Sequence, residues 1–255
     1  MADLERGKPR TALVTGASRG IGRAIARRFV SEGYVVIAND ITAQGAALAE
    51  LVSEIAEAGG RCEQIIADVG DPAQVAAMAA KAVDSFGPVD VLVNNAGVLS
   101  VHRVEELDPD EWDRIFRVNV KGTFLVTQAL LKHFRQRGAG RIINIASIGG
   151  KLSGAGQVHY CASKAAVIRF TQGLAMELGD IGITVNAVCP GIIDTDMGRN
   201  NFLDEASLRN CTARTALGRI GKPEDVVGAV SFFASDDAAF ITGQTLNVCG
   251  GIVFH

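Results

Sequence analysis

Short runs of β-branched and other apolar residues alternate along the chain with longer, Ala-rich amphipathic segments. The runs at residues 91–93 and 142–145 are almost continuously hydrophobic, without the alternation of apolar and polar positions that a half-exposed strand shows. Continuous apolar runs are typical of strands covered on both faces, as in a parallel sheet. Together with the regular alternation of strand and helix, they predict a doubly wound, mostly parallel α/β sheet with helices on both faces.

The same pattern predicts the individual elements of one domain spanning residues 1–255. The strands are expected at residues 11–15, 34–39, 61–67, 89–94, 141–146, 184–188 and 245–248. The helices are expected at residues 21–31, 43–58, 73–86, 109 to about 137, 158–178 and 223–234. The longest irregular stretch runs from residue 191 to about 221, with a short helix predicted at 204–209. Long insertions in compact domains are usually functional, so this stretch is the expected substrate loop.

Composition excludes several classes of partner. The formal net charge is −3 and no block of basic residues is present, so nothing indicates a nucleic-acid partner. The first ten residues lack the apolar region of a secretory signal, and no apolar run approaches the roughly 18 residues of a membrane span. The five cysteines are scattered and form no Cys-x-x-Cys pair, as expected of reduced thiols in a cytoplasmic protein. The four histidines form no cluster, so no metal site is expected.

A glycine-rich loop follows the first predicted strand and precedes an Ala-rich helix. Glycines in Thr15-Gly-Ala-Ser-Arg-Gly-Ile-Gly22 let the backbone turn sharply and approach a pyrophosphate, while the helix N-terminus supplies N–H groups and a positive dipole end. The alternative, a turn that merely needs glycine, fits this position between strand and helix less well. The predicted cofactor contacts of the loop, in a Rossmann-type fold, are Gly16, Ser18, Arg19, Gly20, Ile21 and Gly22.

Asp40 ends the second predicted strand, 18 residues beyond Gly22. An acid at this place can accept hydrogen bonds from an adenosine ribose and would repel a 2′-phosphate, so it favours NAD over NADP. Arg19 argues the other way, because its guanidinium could meet a 2′-phosphate. A solvated acid at a strand end is the alternative interpretation of Asp40.

Tyr160 and Lys164 lie four residues apart near the start of a predicted helix, and therefore on one face of it. A tyrosine with its usual pKa near 10 is a poor base at neutral pH. An adjacent ammonium, together with the positive nicotinamide ring of NAD⁺, would stabilise the phenolate and lower that pKa. The Tyr-x-x-x-Lys spacing alone is common by chance, so its meaning depends on other residues.

Those other residues occur where a doubly wound sheet holds its ligands. Ser147 follows the strand at 141–146, at the carboxyl end where ligands bind, and its hydroxyl could bind a substrate oxygen. Asn119 interrupts the apolar helix that begins at Pro109, and a buried polar residue there needs a partner. The segment Asn94-Asn95-Ala96-Gly97 closes another strand.

With these motifs the chain resembles the short-chain dehydrogenase/reductase family in its common short form, from Arg10 to Gly251. The resemblance rests on the glycine loop, Asp68, the Asn94–Gly97 segment, the residues just described and Pro190-Gly191. It implies an enzyme with the catalytic residues Asn119, Ser147, Tyr160 and Lys164. It also implies a homotetramer, and the two long helices beginning at Pro109 and Val158 are the expected partner contacts.

The resemblance extends to further cofactor contacts. It implies that Asp68 and Val69 meet the adenine, that Asn95 lines the ribose region together with Ala96 and Gly97, and that Lys164 holds the nicotinamide ribose hydroxyls beside Tyr160. The segment beginning at Pro190 would hold the carboxamide. Its expected contacts are Pro190, Gly191, Ile193 and Thr195.

The sequence departs from the family's usual pattern at three positions. Cys189 stands where serine or alanine is more usual, and Cys249 stands where an acid is more usual. His159 directly precedes Tyr160. A role of His159 at the substrate is one interpretation, and a surface or interface histidine is the favoured one, because a neighbour at i−1 points away from Tyr160.

The function predicted from the sequence is hydride transfer between NAD(H) and a secondary alcohol or ketone. Polar residues at 98–107 and 191–217 favour a polyol, sugar or small diol, while other secondary alcohols and hydroxysteroids stay open. The enzymatic alternative is an NADPH-dependent 3-oxoacyl thioester reductase, since the glycine loop looks much like theirs. A non-catalytic NAD-binding sensor or scaffold is the alternative of another class.

Overall fold

The computed structural model describes residues 9–199 and 205–254. Within them, seven strands form one parallel sheet in the order β3-β2-β1-β4-β5-β6-β7, which confirms the predicted fold class. The strands are β1 Thr11–Thr15, β2 Val35–Asp40, β3 Arg61–Ile66, β4 Val91–Asn94, β5 Gly140–Ile145, β6 Ile183–Pro190 and β7 Thr245–Val248. The predicted strand boundaries agree within two residues; β4 begins two residues late and β6 runs on to Pro190.

Helices cover both faces of this sheet. They are α1 Gly20–Ser31, α2 Gly45–Glu57, α3 Pro72–Phe86, α4 Pro109–Phe116, α5 Thr123–Arg137, α6 Val158–Leu178, α7 Asp196–Arg199, α8 Glu205–Ala213 and α9 Pro223–Ala234. The short helix predicted at 204–209 corresponds to the longer α8, and Asp204 lies outside the described residues. No described helix is long and apolar enough to cross a membrane.

The hydrophobic core lies in two layers, one on each side of the sheet. Successive strand residues point to opposite faces, so Val14 packs into the layer under α1, α2 and α9, while Leu13 packs into the layer under α3, α5 and α6. Both side chains are completely buried. This two-sided burial is the reason that the strand sequences are continuously apolar.

One predicted element is wrong in detail. The helix expected to run unbroken from Pro109 to about Arg137 contains a π-helical turn, Arg117–Gly122, between α4 and α5. A π turn inserts one residue into the helical repeat and is frequent at functional sites. Hydrophobic periodicity cannot reveal it, because α4 and α5 each keep an ordinary helical pattern.

Candidate active site

The glycine loop and the Asn94–Gly97 segment meet at the carboxyl ends of β1 and β4, where the strand order reverses. Such a switch point is the usual ligand crevice of an open α/β sheet. Gly16 and Gly20 have positive φ angles of 63° and 54°, which favour glycine. A Cβ at Gly22 would overlap the carbonyl oxygen of Gly16. The loop therefore has the close backbone packing that a pyrophosphate cradle requires.

The side chains of Asn95 and Thr15 hold this loop through hydrogen bonds. The Asn95 side-chain amide donates to the carbonyl oxygens of Thr15 and Gly16, each at 2.9 Å. The Thr15 hydroxyl accepts the backbone N–H groups of Asn95 and Ala96 at 3.0 Å. The Asn95 side-chain amide thus stabilises the glycine loop itself. Thr15 was missed as a functional residue, because a threonine that ends a strand carries no distinguishing signal in sequence.

The Asp40 carboxylate faces the glycine loop. One of its oxygens accepts the Ser18 hydroxyl at 2.6 Å and the Ser18 N–H at 3.1 Å, and the other accepts the Ile41 N–H at 2.9 Å. The Arg19 guanidinium lies 3.3 Å from the carboxylate of Asp196 and is paired with it. The charge presented at the end of β2 is therefore negative.

Asp68 and Val69, the expected adenine contacts, follow β3 beside the π turn. The Asp68 carboxylate pairs with Arg117 at 2.7 Å and accepts the Gly70 N–H at 2.8 Å. Val69 is buried, and a Cβ at Gly122 would lie 2.7 Å from its side chain. Arg117 is a second residue that sequence reasoning missed, since its partner is 49 positions away.

Asn119 lies in the π turn and is buried, and its predicted need for partners is met. Its Oδ1 accepts the N–H of Val98 at 2.8 Å, and its Nδ2 donates to the Val98 carbonyl and to the Ser163 hydroxyl, each at 3.0 Å. The amide therefore joins the chain leaving β4 to helix α6. Ser163 was not predicted, although it lies one residue before Lys164.

Tyr160 lies in the first turn of α6, facing Ser147 at the end of β5. Burial raises the pKa of Tyr160 to about 12, and the Ser147 side chain beside it acts in the opposite direction. The Ser147 oxygen also accepts the Gly149 N–H at 3.0 Å, which orients it. In the protein alone Tyr160 is therefore a neutral phenol and a proton donor.

Lys164 lies one helical turn further along α6. Its ammonium donates to the Ile145 carbonyl at 2.9 Å and lies 5.8 Å from the centroid of the Tyr160 ring. Burial lowers the pKa of Lys164 to about 8. In the protein alone, burial of the phenol raises the Tyr160 pKa. The lowering expected from Lys164 together with a nicotinamide stays a prediction.

The segment after β6 returns to the glycine loop. A Cβ at Gly20 would lie 3.2 Å from the Thr195 side chain, whose hydroxyl accepts the N–H of Gly198 in α7. Ile193 is buried and bridges to Gly221. Gly191 is required because a Cβ there would lie 2.7 Å from the Cα of Cys249. Pro190 ends β6, and the segment after it lies beside the glycine loop at Thr195, while its contact with a carboxamide stays a prediction.

The three departures from the family pattern are all buried positions. Cys189 and Cys249 are free thiols, as are the other three cysteines. The favoured interpretation of His159 as a surface or interface residue is wrong, because the side chain is completely buried within the single chain. Full burial also leaves the ring no surface for contact with a substrate. The described residues contain no group of three or more side chains arranged to hold a metal ion.

Comparison with known proteins agrees with this geometry. The chain matches the family described as Enoyl-(Acyl carrier protein) reductase over residues 16–253. It is 43% identical over 242 residues to (2S)-[(R)-hydroxy(phenyl)methyl]succinyl-CoA dehydrogenase subunit BbsD of Thauera aromatica, covering 95% of this chain and 96% of the relative. It is 40% identical over 241 residues to the 3-oxoacyl-[acyl-carrier-protein] reductase FabG of Escherichia coli (strain K12), covering 94% and 96%.

A solved structure is similar over nearly the whole chain. It is a gluconate 5-dehydrogenase from Burkholderia cenocepacia in complex with NADP and tartrate, with a TM-score of 0.91 and 35% identity, covering 95% of this chain and 94% of that one. These relatives differ in their substrates. The fold and the family are therefore established. The substrate and the choice between NAD and NADP must be inferred from the residues of the site.

Lys164 should make stability depend on pH. Unfolded, it keeps its proton up to its usual pKa of 10.5, whereas folded it loses the proton near pH 8. The unfolded chain therefore binds more protons between these values, and stability rises with pH there. At pH 7 Lys164 is protonated in the folded and the unfolded chain, so the full cost of burying its charge destabilises the folded protein. Lys164→Met should therefore be more stable than the wild type by on the order of 1–3 kcal/mol. That advantage should shrink toward pH 10.5, as measured by thermal unfolding at several pH values.

The exposed Lys81 supplies the control. In Lys81→Met, the difference in Tm from the wild type should not change across the same pH range. A pH-independent difference for Lys164→Met would show that the folded lysine titrates normally.

Proposed function

The chain belongs to the short-chain dehydrogenase/reductase family and acts as an oxidoreductase on an alcohol or ketone, and we propose that it transfers hydride between NAD(H) and a secondary alcohol carbon, with Tyr160 as proton donor and acceptor. The observation that carries this proposal is the meeting of Ser147, Tyr160 and Lys164 at the carboxyl edge of the sheet, beside the glycine loop. A bound nicotinamide would supply the hydride acceptor or donor.

The chain's own residues have separate tasks in this reaction. The Ser147 hydroxyl binds the substrate oxygen and Tyr160 gives or takes the proton on that oxygen. Lys164 holds the nicotinamide ribose and places a positive charge near the phenol. Asn119 fixes the segment at Gly97, where a Cβ would lie 3.3 Å from Asn119 Oδ1 and 3.4 Å from Lys164 Nζ. These two groups therefore border one point, at which a water could join Lys164 to solvent.

Tyr160→Phe should abolish turnover while leaving nucleotide binding intact, because the substitution removes only the proton-carrying oxygen. Rates would be measured at 340 nm with gluconate, 2,3-butanediol, 3-hydroxybutyryl and acetoacetyl thioesters, and a hydroxysteroid, each with NAD(H) and NADP(H). NADH binding would be measured by fluorescence titration. Turnover by the Phe variant at the wild-type rate would refute the role of Tyr160. Tight nucleotide binding by the wild type with no turnover of any compound would instead favour a sensor or scaffold.

The proposed preference for NAD rests on Asp40. Its carboxylate is held against the glycine loop by Ser18, and the chain has no lysine or arginine from Ile41 to Gly60. Arg19, the residue that could favour NADP, is paired with Asp196. A 2′-phosphate at the end of β2 would therefore meet a negative charge.

The wild type should use NADH at least tenfold better than NADPH, compared as kcat/KM. Asp40→Asn keeps the shape of the side chain and its contact with the Ser18 hydroxyl but removes the charge, so the preference should fall by about tenfold or more. Asp196→Asn, which releases Arg19 from its pairing without touching β2, tests the opposing residue. If the wild type prefers NADPH, the proposal for Asp40 fails.

Two substrate classes fit the site. Polar residues in the segments at 98–107 and 191–217 support a polyol, sugar or small diol, and the similar gluconate 5-dehydrogenase points the same way. Exposed apolar side chains on the flanking segments, such as Val101, Leu152 and Met197, favour a substrate with an apolar part. For this reason a 3-oxoacyl or 3-hydroxyacyl thioester is the second candidate, and the similar thioester enzymes support it. The substrate panel distinguishes the two.

We also propose a homotetramer in the cytoplasm, with α4, α5 and α6 at a subunit contact. Trp112 and Phe124 are about two-fifths exposed and Met176 almost entirely so, and Phe124 contacts Phe170 of α6 edge to face. Free cysteines at all five positions suit a reducing compartment.

Light scattering after size exclusion should give a mass four times that of the chain. Phe124→Glu places a charge in the proposed contact and should yield smaller species, whereas Lys81→Glu on α3 should leave the tetramer unchanged. A monomeric wild type would exclude the assembly.

A further inference from the structure

His159 is a buried titratable residue that the proposed reaction does not use. It precedes Tyr160 on α6, and the helical turn of about 100° per residue directs it away from the phenol. Its Nε2 lies 2.9 Å from the hydroxyl of Ser100, in the segment that follows β4. Among the described residues, its Nδ1 is buried without a hydrogen-bond partner. Within that part of the chain the imidazole therefore makes one polar contact, and that contact joins α6 to the segment at 98–102.

The tautomer of His159 follows from its unpaired ring nitrogen. A buried N–H without a partner is rarer than an unpaired acceptor, so the proton lies on Nε2 and not on Nδ1. His159 is therefore the Nε2–H tautomer and donates to the Ser100 hydroxyl. The Glu111 carboxylate of α4, near Ser100, accepts two hydrogen bonds from Arg114 at 2.6 and 2.7 Å, and Arg114 lowers the pKa of Glu111 to about 2.

The surroundings of His159 keep it neutral. Burial lowers its pKa, and the nearby His102 and Arg114 act in the same direction, while Glu111 opposes them. The His102 ring lies 6.3 Å from the His159 ring. A neutral imidazole leaves only an unpaired acceptor at Nδ1. An imidazolium would leave a buried N–H without a partner.

Within the described residues, three polar contacts hold the segment at 98–102, and each is two residues from the next. Asn119 binds both backbone polar groups of Val98, His159 binds the side chain of Ser100, and the Gly156 carbonyl accepts the N–H of His102 at 2.8 Å. Asn119 and Gly156 form hydrogen bonds with the backbone of this segment. His159 instead binds one of its side chains, and it does so from α6, next to Tyr160.

We propose that His159 is a positioning residue for the reaction: through Ser100 it holds the segment at 98–102 at the distance from Tyr160 that shapes the substrate cleft. This inference rests on the proposed function, because it assumes that the substrate binds at Tyr160. Packing alone would be served better by an apolar ring, since an unpaired buried nitrogen destabilises the folded state. The hydrogen bond to Ser100 is what a phenylalanine could not supply.

Two amide substitutions of His159 separate the hydrogen bond from packing. The Gln amide lies as many bonds from Cβ as the imidazole Nε2, so His159→Gln can still donate to Ser100. The Asn amide corresponds to Nδ1, so His159→Asn cannot reach. With the most active compound of the substrate panel, His159→Asn should raise the substrate KM about fivefold, the effect of one lost hydrogen bond. Its kcat and its KM for the nucleotide should stay within twofold of the wild type, and His159→Gln should restore the substrate KM.

Ser100→Ala gives a double-mutant test of the same contact. It should raise the substrate KM as His159→Asn does, and the double variant should show no further rise, because both changes break one interaction. Equal KM increases in His159→Gln and His159→Asn would overturn the proposal, as would additive effects in the double variant. Substrate KM values within twofold of the wild type in both single variants would overturn it as well.

A measurement without substrate separates this inference from the proposed function. In ¹⁵N-histidine NMR spectra, the signals lost in His159→Gln should be those of a neutral Nε2–H imidazole at pH 7. An Nδ1–H tautomer or an imidazolium would overturn the proposal even in an active enzyme. If Tyr160→Phe is inactive and the His159 variants behave like the wild type, the proposed function stands and only the positioning role fails.

Discussion

The two-way hydrogen bond between the Asn119 amide and the backbone of Val98 is the constraint on which the site depends. The Asn119 side chain pairs with both the N–H and the carbonyl of Val98, and the same amide also donates to the Ser163 hydroxyl on α6. Because Val98 lies in the segment that follows β4, this interaction holds that segment, the π turn and helix α6 at fixed distances. The π turn carries Asn119 into this position and interrupts what would otherwise be one long helix.

A second buried polar chain supports the same elements from within the sheet. The Asn94 amide donates to Thr127 of α5 and to Asn144 of β5, and Asn144 donates to Thr171 of α6. The side-chain amide donors of Asn94 and Asn144 are paired in this chain, whereas Asn94 Oδ1 is buried without a partner among the described residues. The helices that carry Asn119, Tyr160 and Lys164 are thus tied to the strands by hydrogen bonds as well as by apolar packing.

The electrostatics of the site follow from burial. Burial raises the pKa of Tyr160 and lowers that of Lys164, so both side chains are shifted toward their neutral forms. A positive nicotinamide beside the phenol would favour the phenolate, which alcohol oxidation requires, whereas ketone reduction requires the neutral phenol that the protein alone already provides. Under the proposed mechanism, cofactor charge therefore adjusts the proton donor to the direction of reaction.

Much of this was predictable because it depends on short-range pattern. Continuous apolar strands, the glycine loop, Asp40 at a strand end and the Tyr160–Lys164 spacing are local features, and they led to the sheet, the family and the expected site. Three features were not predictable from local pattern: the partners of Asn119, the pairing of Arg117 with Asp68, and the burial of His159 beside Ser100. Each depends on contacts between residues that lie between 21 and 59 positions apart in the chain. By itself, the sequence determined which elements form and which chemical groups stand at the strand ends. Only the tertiary structure decided which buried polar atoms pair across the sheet edge, since that depends on distances that no local pattern encodes.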